Sequence, residues 1–328
     1  VIATVTGGAG FIGHHLVEQL LARGTRVRVI DDLSTGCRAR LPAHDPDCEL
    51  VEASILDPAA LDEVLLGSDV VFHLAALVSV DQSLVEPRRT NDVNAGGTIE
   101  VMRAAARRHV HRVVLASSCA VYGCGDQLPS RETQRPEPTS PYGVAKLAAE
   151  GYLHALGQRH GIATVALRYF NVFGEGQDPH SAYAAVVPAF ALAALEGCAP
   201  VVNGDTAITR DYVHVDDVVR ANLLAARPYA PSGVTCNIAT GRSRSLCDLL
   251  AAVESEVGHP VVPVIGPPRP GDITRSEADV DLARRVLGYV AAVPFEVGVA
   301  RTVRWYAERR RAAVAGAARR ELAGAGRS

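Results

Sequence analysis

Short apolar runs alternate with longer amphipathic stretches through the first half of the chain. Ile2–Val5 predicts a strand. Phe11–Arg23, with Leu16, Leu20 and Leu21 on one side, predicts a helix. Arg26–Ile30 reads as a second strand ending at Asp31-Asp32, and Leu50-Val51 as a weaker third. Asp57-Pro58 opens a helix, with proline in its first turn. Asp69–Leu74 and Arg112–Ala116 are buried-strand candidates with an alanine-rich helix between them. This βαβα order predicts an α/β fold, a doubly wound parallel sheet with helices on both faces.

The second half is less regular. Pro188–Leu195 predicts a helix, and Pro200–Gly204, Val234–Ile238 and Val261–Ile265 predict short strands. Pro267-Pro268-Arg269-Pro270-Gly271 must be a loop. From Arg309 onward the chain is rich in alanine and arginine without aromatic anchors, which predicts a frayed helix or a disordered tail. No repeat is visible. The expected division is a first domain over 1–175, with later segments returning to it, a smaller mixed α/β lobe over 176–308, and a tail over 309–328.

With 328 residues, 48% of them hydrophobic and 21% charged, the chain can bury a full core. A net charge of −3 gives no strong field toward nucleic acid or a membrane surface. No apolar run reaches the roughly 20 residues that span a bilayer. No secretory signal is visible, and the chain starts inside an apolar run, so a few residues are expected to precede Val1. Seven scattered cysteines without a CxxC pair argue against a zinc site or disulfide framework, so no metal is expected and a reducing cytoplasm fits. Of 33 Lys and Arg residues, Lys146 is the only lysine. Arginine cannot place a compact ammonium where a small donor is needed, so this position suggests a specific chemical demand.

Thr6-Gly7-Gly8-Ala9-Gly10-Phe11-Ile12-Gly13 sets glycines between a strand and a helix. Glycine permits a tight turn and close approach to a pyrophosphate, whose charge suits the helix N-terminus. Asp31 ends the next strand, where a carboxylate can accept from adenosine ribose hydroxyls. Asp31 and Asp32 together would repel a 2′-phosphate, which favours NAD over NADP.

Pro141 starts a helix that places Tyr142 and Lys146 on one face. A tyrosine with a pKa of about 10 is a poor base near neutrality. A neighbouring ammonium and a positive nicotinamide would favour the phenolate. Ser117-Ser118 closes a predicted strand, where sites of α/β folds gather.

At this point the sequence resembles the extended short-chain dehydrogenases/reductases and, within them, the UDP-glucose 4-epimerase group. The resemblance runs from residue 1 to about 308 through TGGAGFIG (6–13), IDDLSTG (30–36), FHLAA (72–76), NAGGT (94–98), SSCAVYG (117–123), SPYGVAK (140–146), LRYFNVFG (167–174), TRDYVHVDD (209–217), NIATG (237–241) and RPGD (269–272). It implies a Rossmann sheet with a C-terminal substrate lobe, NAD as cofactor, a UDP-sugar as substrate, and a homodimer built on helices near 95–108 and 142–157. Ser118, Tyr142 and Lys146 become the catalytic set. Gly7, Gly10, Phe11 and Ile12 follow the pyrophosphate, and Asp31 and Asp32 hold the adenosine ribose. Leu74, Ala75, Asn94 and Tyr169 line the remaining cofactor path, with further contacts from Ser34, Thr35, Gly36, Ser54, Ile55, Ala76 and Ser117. Asn171 faces the nucleotide-sugar, and Arg210, Arg269 and Asp272 hold its diphosphate and ribose. Ser79, Cys119, Ala120, Ala185, Val186, Asn203 and Ser276 complete the implied substrate contacts.

There are departures. Ser54-Ile55 stands where the family usually has Asp-Ile against adenine, and Val78 replaces a lysine found in some epimerases. Gln177-Asp178-Pro179, the stretch 182–188 and Asn203 resemble the branch that handles N-acetylhexosamines. Related 4,6-dehydratases carry an acid just after the catalytic hydroxyl, but here Cys119, Ala120 and Val121 follow Ser118. The expected reaction is 4-epimerisation of a UDP-hexose through a transient 4-keto sugar. The alternatives are a UDP-glucuronate 4-epimerase, a 4,6-dehydratase, or a cofactor-binding regulator without catalysis. The resemblance also implies that the residue at Ser276 decides whether an N-acetyl group fits: tyrosine restricts the pocket, and serine opens it.

Overall fold

A computed structural model describes residues 1–124, 127–179, 185–267 and 274–325, with side chains in the last helix described as far as 312. The strands and helices that carry the argument are β1 (Ile2–Thr6), α1 (Phe11–Leu21), β2 (Arg26–Asp31), β3 (Cys48–Glu52), α2 (Pro58–Val64), β4 (Val70–His73), α3 (Val80–Val85), α4 (Pro87–Asn91), α5 (Gly97–Arg107), β5 (Arg112–Ser118), α6 (Pro141–His160) and β6 (Ala163–Tyr169). Together with Val234–Ile238 the six strands form one sheet in the order Val234–Ile238, β6, β5, β4, β1, β2, β3. Every pairing is parallel. The sequence order reverses direction between β1 and β4, which opens a crevice at their carboxyl ends.

The strands are apolar runs because both faces of the sheet are covered. On one side Ala3, Val5, Val29, Phe72, Val114 and Leu167 are fully buried together with α1 and Val215–Ala225. On the other, Ile30, Val71, Leu115 and Ala166 meet Leu61, Met102 and Leu153 from α2, α5 and α6. Local chemistry sets the helix ends. Asp57 caps α2 by accepting from Ala59 N at 2.9 Å, with Pro58 in the first turn. Ser140 caps α6 by accepting from Gly143 N at 3.1 Å, and the helix stops at Gly161, whose φ of +68° is left-handed.

The structure adds to the predicted elements. β6, whose last residues open the motif 167–174, fills the place beside β5. The connection after β4 is not one alanine-rich helix but α3, α4 and a π-helical turn over Asp92–Gly96 before α5 begins. The extra residue of a π-turn changes which side chains face inward, and here Asn94 and Ala95 are buried. The helix predicted from Pro188 starts at Val186, because a proline in the first helical turn forfeits no intrahelical bond. The strand predicted over 261–265 is Val264–Gly266, paired in parallel with Val201–Asn203. Val261 does not join it, because its N–H donates to the Glu254 carboxylate at 2.7 Å. The residues after Arg309 continue the helix Phe295–Ala325.

Two compact units emerge. The first comprises Val1–Val172, Arg210–Ser243 and Arg275–Ala292; the second comprises Phe173–Thr209, Arg244–Thr274 and Val293–Ser328. Within the second, Val186–Leu195, Leu246–Val257 and Phe295–Ala325 pack on one another, and Arg301 pairs with Glu175 at 2.8 Å. Among the described residues, no helix is long and apolar enough to cross a membrane.

Candidate active site

The crevice begins at the turn from β1 into α1. Gly7 has φ +70°, and a Cβ there would lie 2.7 Å from Ala75 N, so the end of β4 rests directly on the turn. A Cβ on Gly13 would stand 2.1 Å from Gly7 O, so α1 can close onto the turn only with glycine at this point. Gly10 enters α1 in an extended conformation without a side-chain cap, leaving Phe11 and Ile12 as the first helical residues. Asp31, at the end of β2, is buried. Its carboxylate accepts from Ala9 N and Leu33 N, both at 2.9 Å. Burial is the largest influence on this carboxyl and raises its pKa, while those two N–H groups act the other way. Asp32 accepts from Ser34 N at 3.0 Å and from Ser34 Oγ at 2.6 Å, turning the chain toward Thr35 and Gly36. Beyond lies a cleft of about 570 Å³ lined by Asp32, Ser54, Leu56, Val85, Arg89 and Val93. Ser54 Oγ accepts from Leu56 N at 3.1 Å, whereas Ile55 turns into the core. A glycine turn with no room for side chains, followed by carboxylates and a cleft, fits a dinucleotide in chemistry and order.

The cofactor-side segments are cross-linked beneath the crevice by His73. Ala75 N donates to Thr6 Oγ1 at 3.1 Å, and Thr6 Oγ1 lies 2.8 Å from His73 Nδ1. His73 Nε2 lies 3.1 Å from Thr98 Oγ1, which donates to Asn94 O at 2.7 Å. Because the Thr98 proton goes to Asn94, Nε2 must donate and Nδ1 must accept. The ring is neutral: burial first, and the Lys146 charge second, push its pKa down to about 3. Asn94 in turn holds Leu77, accepting from its N–H at 2.8 Å and donating to its carbonyl at 2.9 Å. Ser79 Oγ caps α3, accepting from Gln82 N at 3.0 Å. Thus Thr6, Ala75, Leu77 and Asn94 are joined through one chain of hydrogen bonds.

On the neighbouring strand, β5 ends at Ser118 and passes into a 3-10 turn over Cys119–Tyr122. Ser118 Oγ accepts from Ala120 N at 3.1 Å, and its hydroxyl acts on the Tyr142 phenol, lowering its pKa against the pull of burial. A Cβ on Gly143 would stand 2.5 Å from Ala120 O, so α6 reaches this turn only because residue 143 has no side chain. One turn further, Lys146 Nζ donates to Ala116 O at 2.8 Å and stands 6.0 Å from the Tyr142 ring centre. Burial is the leading cause of the shifts in both groups: Tyr142 is pushed up to about 12 and Lys146 down to about 8. In the protein alone Tyr142 is therefore a phenol, and positive charge beside it is what would release its proton. Tyr169 OH, at the end of β6, exchanges hydrogen bonds with Asn222 at 2.8 and 3.0 Å.

A further cluster of the first unit centres on Asp211. Its carboxylate accepts from Thr240 N at 2.9 Å, Thr240 Oγ1 at 2.6 Å, Gly241 N at 2.9 Å and Ala278 N at 3.3 Å. Its carbonyl accepts from Asn171 Nδ2 at 3.2 Å. One buried acid thus binds the motifs at 171, 210, 240 and 276–278. The Arg210 charge acts on the Cys119 thiol, which burial nevertheless pushes up to about 11. Ser276 is buried, and its carbonyl accepts from Ser243 Oγ at 3.0 Å. Ala185, Val186 and Asn203 belong to the second unit, with Ala185 at the start of the helix Val186–Leu195. Arg269 and Asp272 lie outside the described residues. Among the described residues, no three His, Cys, Asp or Glu side chains form a metal site.

Four further residues hold this site together: His73, Arg168 and Asp211, which stand inside the motifs, and Glu150, four residues beyond SPYGVAK. Glu150 carried a legible signal, because Tyr142, Lys146 and Glu150 follow at intervals of four on one face of α6.

A Rossmann sheet with a glycine-floored crevice, beside which a helix delivers tyrosine and lysine to a strand-end serine, defines the class of extended short-chain dehydrogenases/reductases. Residues 3–239 match the model of the NAD-dependent epimerase/dehydratase family, and the chain belongs to that family. A UDP-glucose 4-epimerase of Mycolicibacterium smegmatis is 41% identical over 307 residues, covering 92% of this chain and 97% of that protein. The crystal structure of a UDP-glucose 4-epimerase from Thermotoga maritima with UDP-glucose is similar at a TM-score of 0.90 and 36% identity, covering 94% of this chain and 99% of that one. A UDP-N-acetylglucosamine 4-epimerase from Methanobrevibacter ruminantium, in complex with UDP-N-acetylmuramic acid, is similar at a TM-score of 0.89 and 35% identity, covering 94% of this chain and 98% of that one.

Proposed function

We propose that this protein catalyses the NAD-dependent 4-epimerisation of a UDP-hexose, UDP-glucose/galactose and UDP-N-acetylglucosamine/N-acetylgalactosamine among them. The observation that carries the reading is that Ser118 acts directly on the Tyr142 phenol while the two residues that follow Ser118 carry no acid. The two residues after Ser118 are a half-buried thiol pushed up to about 11 and an alanine. Elimination of water at C6 needs a proton donor there, which neither supplies, whereas inversion at C4 needs only one base that can return its proton.

When bound, NAD would supply the acceptor and donor of the C4 hydride and a positive nicotinamide charge near the phenol. Gly7, Gly10, Asp31, Asp32, Asn94 and Tyr169 line its path. Tyr142 removes the 4-hydroxyl proton and later returns it, with Ser118 bridging phenol and sugar and the Lys146 ammonium favouring the phenolate. Arg210 holds the diphosphate, joined by Arg269 from outside the described residues, so the 4-keto sugar can present its other face. Remote binding through the nucleotide leaves the hexose loosely held, as inversion requires.

The chain acts as a homodimer in the cytoplasm. Val144 and Tyr152 on α6 and Leu84 on α3 are exposed and support a helical interface. Seven free cysteines suit a reducing compartment.

The test is to incubate purified protein with UDP-glucose, UDP-galactose, UDP-N-acetylglucosamine or UDP-glucuronate without added NAD, and to resolve the 4-epimers by chromatography. Epimers of the neutral or N-acetylated sugars support the reading. Turnover of UDP-glucuronate alone moves the protein to the uronate reaction, and no epimer from any sugar refutes the activity.

A further inference from the structure

Beneath the Ser118–Tyr142–Lys146 group lies a second buried layer. Glu150 is one turn beyond Lys146 on α6. Its Oε1 accepts from Ser117 Oγ at 2.5 Å and from Arg168 Nε at 2.9 Å, and its Oε2 accepts from Arg168 Nη2 at 2.7 Å. The side chains of Arg168 and Glu150 are only 5% and 6% exposed. Ser117 and Arg168 are register partners across β5 and β6, so the carboxylate closes a three-cornered link between two strands and the helix. The far side of the guanidinium is covered by the Tyr122 ring, 4.8 Å from its centre. Such a fork is geometrically demanding, and a charge pair this deep is costly unless each charge has its partner.

The charges around Lys146 give the pair a purpose. His73 faces it from the end of β4 and is neutral. Tyr142, on its own helix, and the Cys119 thiol on the 3-10 turn are neutral as well. His154 stands one turn beyond Glu150, where burial lowers its pKa. Asp81, Arg88, Arg89, Asp92, Arg103 and Arg107, on the elements packed against α6, are exposed to water, and the half-buried Glu100 of α5 pairs with Arg103 at 3.0 Å. Among the described residues, Glu150 is the carboxylate whose charge acts on Lys146, and it opposes the pull of burial.

We propose that Glu150, clamped by Arg168, is a positioning residue of the epimerase site: its buried carboxylate keeps Lys146 as an ammonium and holds the Ser117–Ser118 strand end against α6. The proposal rests on the reading of Tyr142 and Lys146 as the catalytic pair. Arg168 grips both carboxylate oxygens, so Glu150 is held in one orientation beneath Lys146.

The lone lysine makes a direct test available. Protein grown with 13C-labelled lysine carries one labelled side chain, whose Cε shift reports the protonation of Lys146 without turnover. Glu150→Gln should weaken proton binding at Lys146 about tenfold, lowering its midpoint by about one pH unit. The alkaline limb of kcat should move the same way, with KM changed less than about twofold. Glu150→Asp, which keeps the charge, should restore most of both. Should the single variant misfold through an unpaired Arg168, Glu150→Gln/Arg168→Gln removes the pair as neutral amides and should show the same fall. A Lys146 midpoint within about 0.3 unit of the parent in the folded variants overturns the proposal, whatever happens to rate. If no sugar nucleotide turns over in the parent protein, the proposed reaction fails while the titration still decides the role of Glu150.

Discussion

Lys146 donates to the carbonyl of Ala116 at 2.8 Å, so the ammonium is aimed by the backbone of the very strand that ends in Ser118. With the Tyr142 ring 6.0 Å away, charge and phenol are fixed by one helix and one strand. Tyr142→Phe should reduce turnover by about 10³-fold while leaving the fold and NAD binding in place. Chromatographic epimer assay and equilibrium dialysis with NAD measure the two. Unchanged turnover would remove Tyr142 as the base.

The His73 chain predicts a pH dependence of stability. Its folded-state pKa is pushed from 6.5 down to about 3, so below pH 6.5 the unfolded chain takes up a proton that the folded protein refuses. The contribution is present in full above pH 6.5 and is lost as pH falls from 6.5 toward 3. Its full span is of order 4–5 kcal/mol. His73→Gln keeps one donor but loses the acceptor for Thr6, and should cost about 1–3 kcal/mol at pH 8. The gap to the parent should close on acidification, because glutamine does not titrate. Urea denaturation at pH 8, 6.5 and 5 checks this; parallel curves would show that the ring is not held neutral.

Asp211 gathers four donors from two distant motifs and accepts Asn171 on its carbonyl. Asp211→Ala would orphan the N–H groups of Thr240, Gly241 and Ala278. A stability loss of about 2–4 kcal/mol is expected. KM for the UDP-sugar should rise more than kcat falls, since the carboxylate supports binding segments rather than the base. Steady-state kinetics on the folded variant decide it; a pure kcat effect would contradict the placement.

Ser276 is small and buried, with its carbonyl tied to Ser243. If its side chain leaves room for an N-acetyl group, Ser276→Tyr should lower kcat/KM for UDP-N-acetylglucosamine by about 10²-fold, corresponding to about 2.7 kcal/mol of lost transition-state binding. UDP-glucose should be turned over within about threefold of the parent rate. Equal losses on both sugars would remove residue 276 from sugar selection.

Much of the first unit was legible because parallel strands buried on both faces leave uninterrupted apolar runs, as at Val70–His73 and Arg112–Ser118. The spacing of the proposed catalytic pair was legible too, since a helix turns positions 142 and 146 to one side. The π-turn at Asp92–Gly96 was not, because it leaves no periodic trace and is stabilised by what Asn94 meets in the fold. Nor was the pairing of Glu150 with Arg168: the spacing on α6 points to position 150, but a buried charge looks like a surface charge until its partner is known, and these two lie 18 residues apart on a helix and the next strand. His73 was hidden for the same reason, its threonine partners being 67 and 25 residues away. Val264–Gly266 shows how a single side-chain acceptor, Glu254, can take one residue out of a strand that composition alone would extend.

The close approach of Gly143 to Ala120 sets a limit on how this site can change. The gap between phenol and hydroxyl is governed by an atom that is not there, so the seam has no slack to trade. Even a methyl group at residue 143 would push α6 away from the serine turn and separate the two oxygens. New sugar preferences are therefore expected away from this seam, at proposed substrate-contact positions such as Ser276. The chemistry is rigid on one side so that the selectivity can drift on the other.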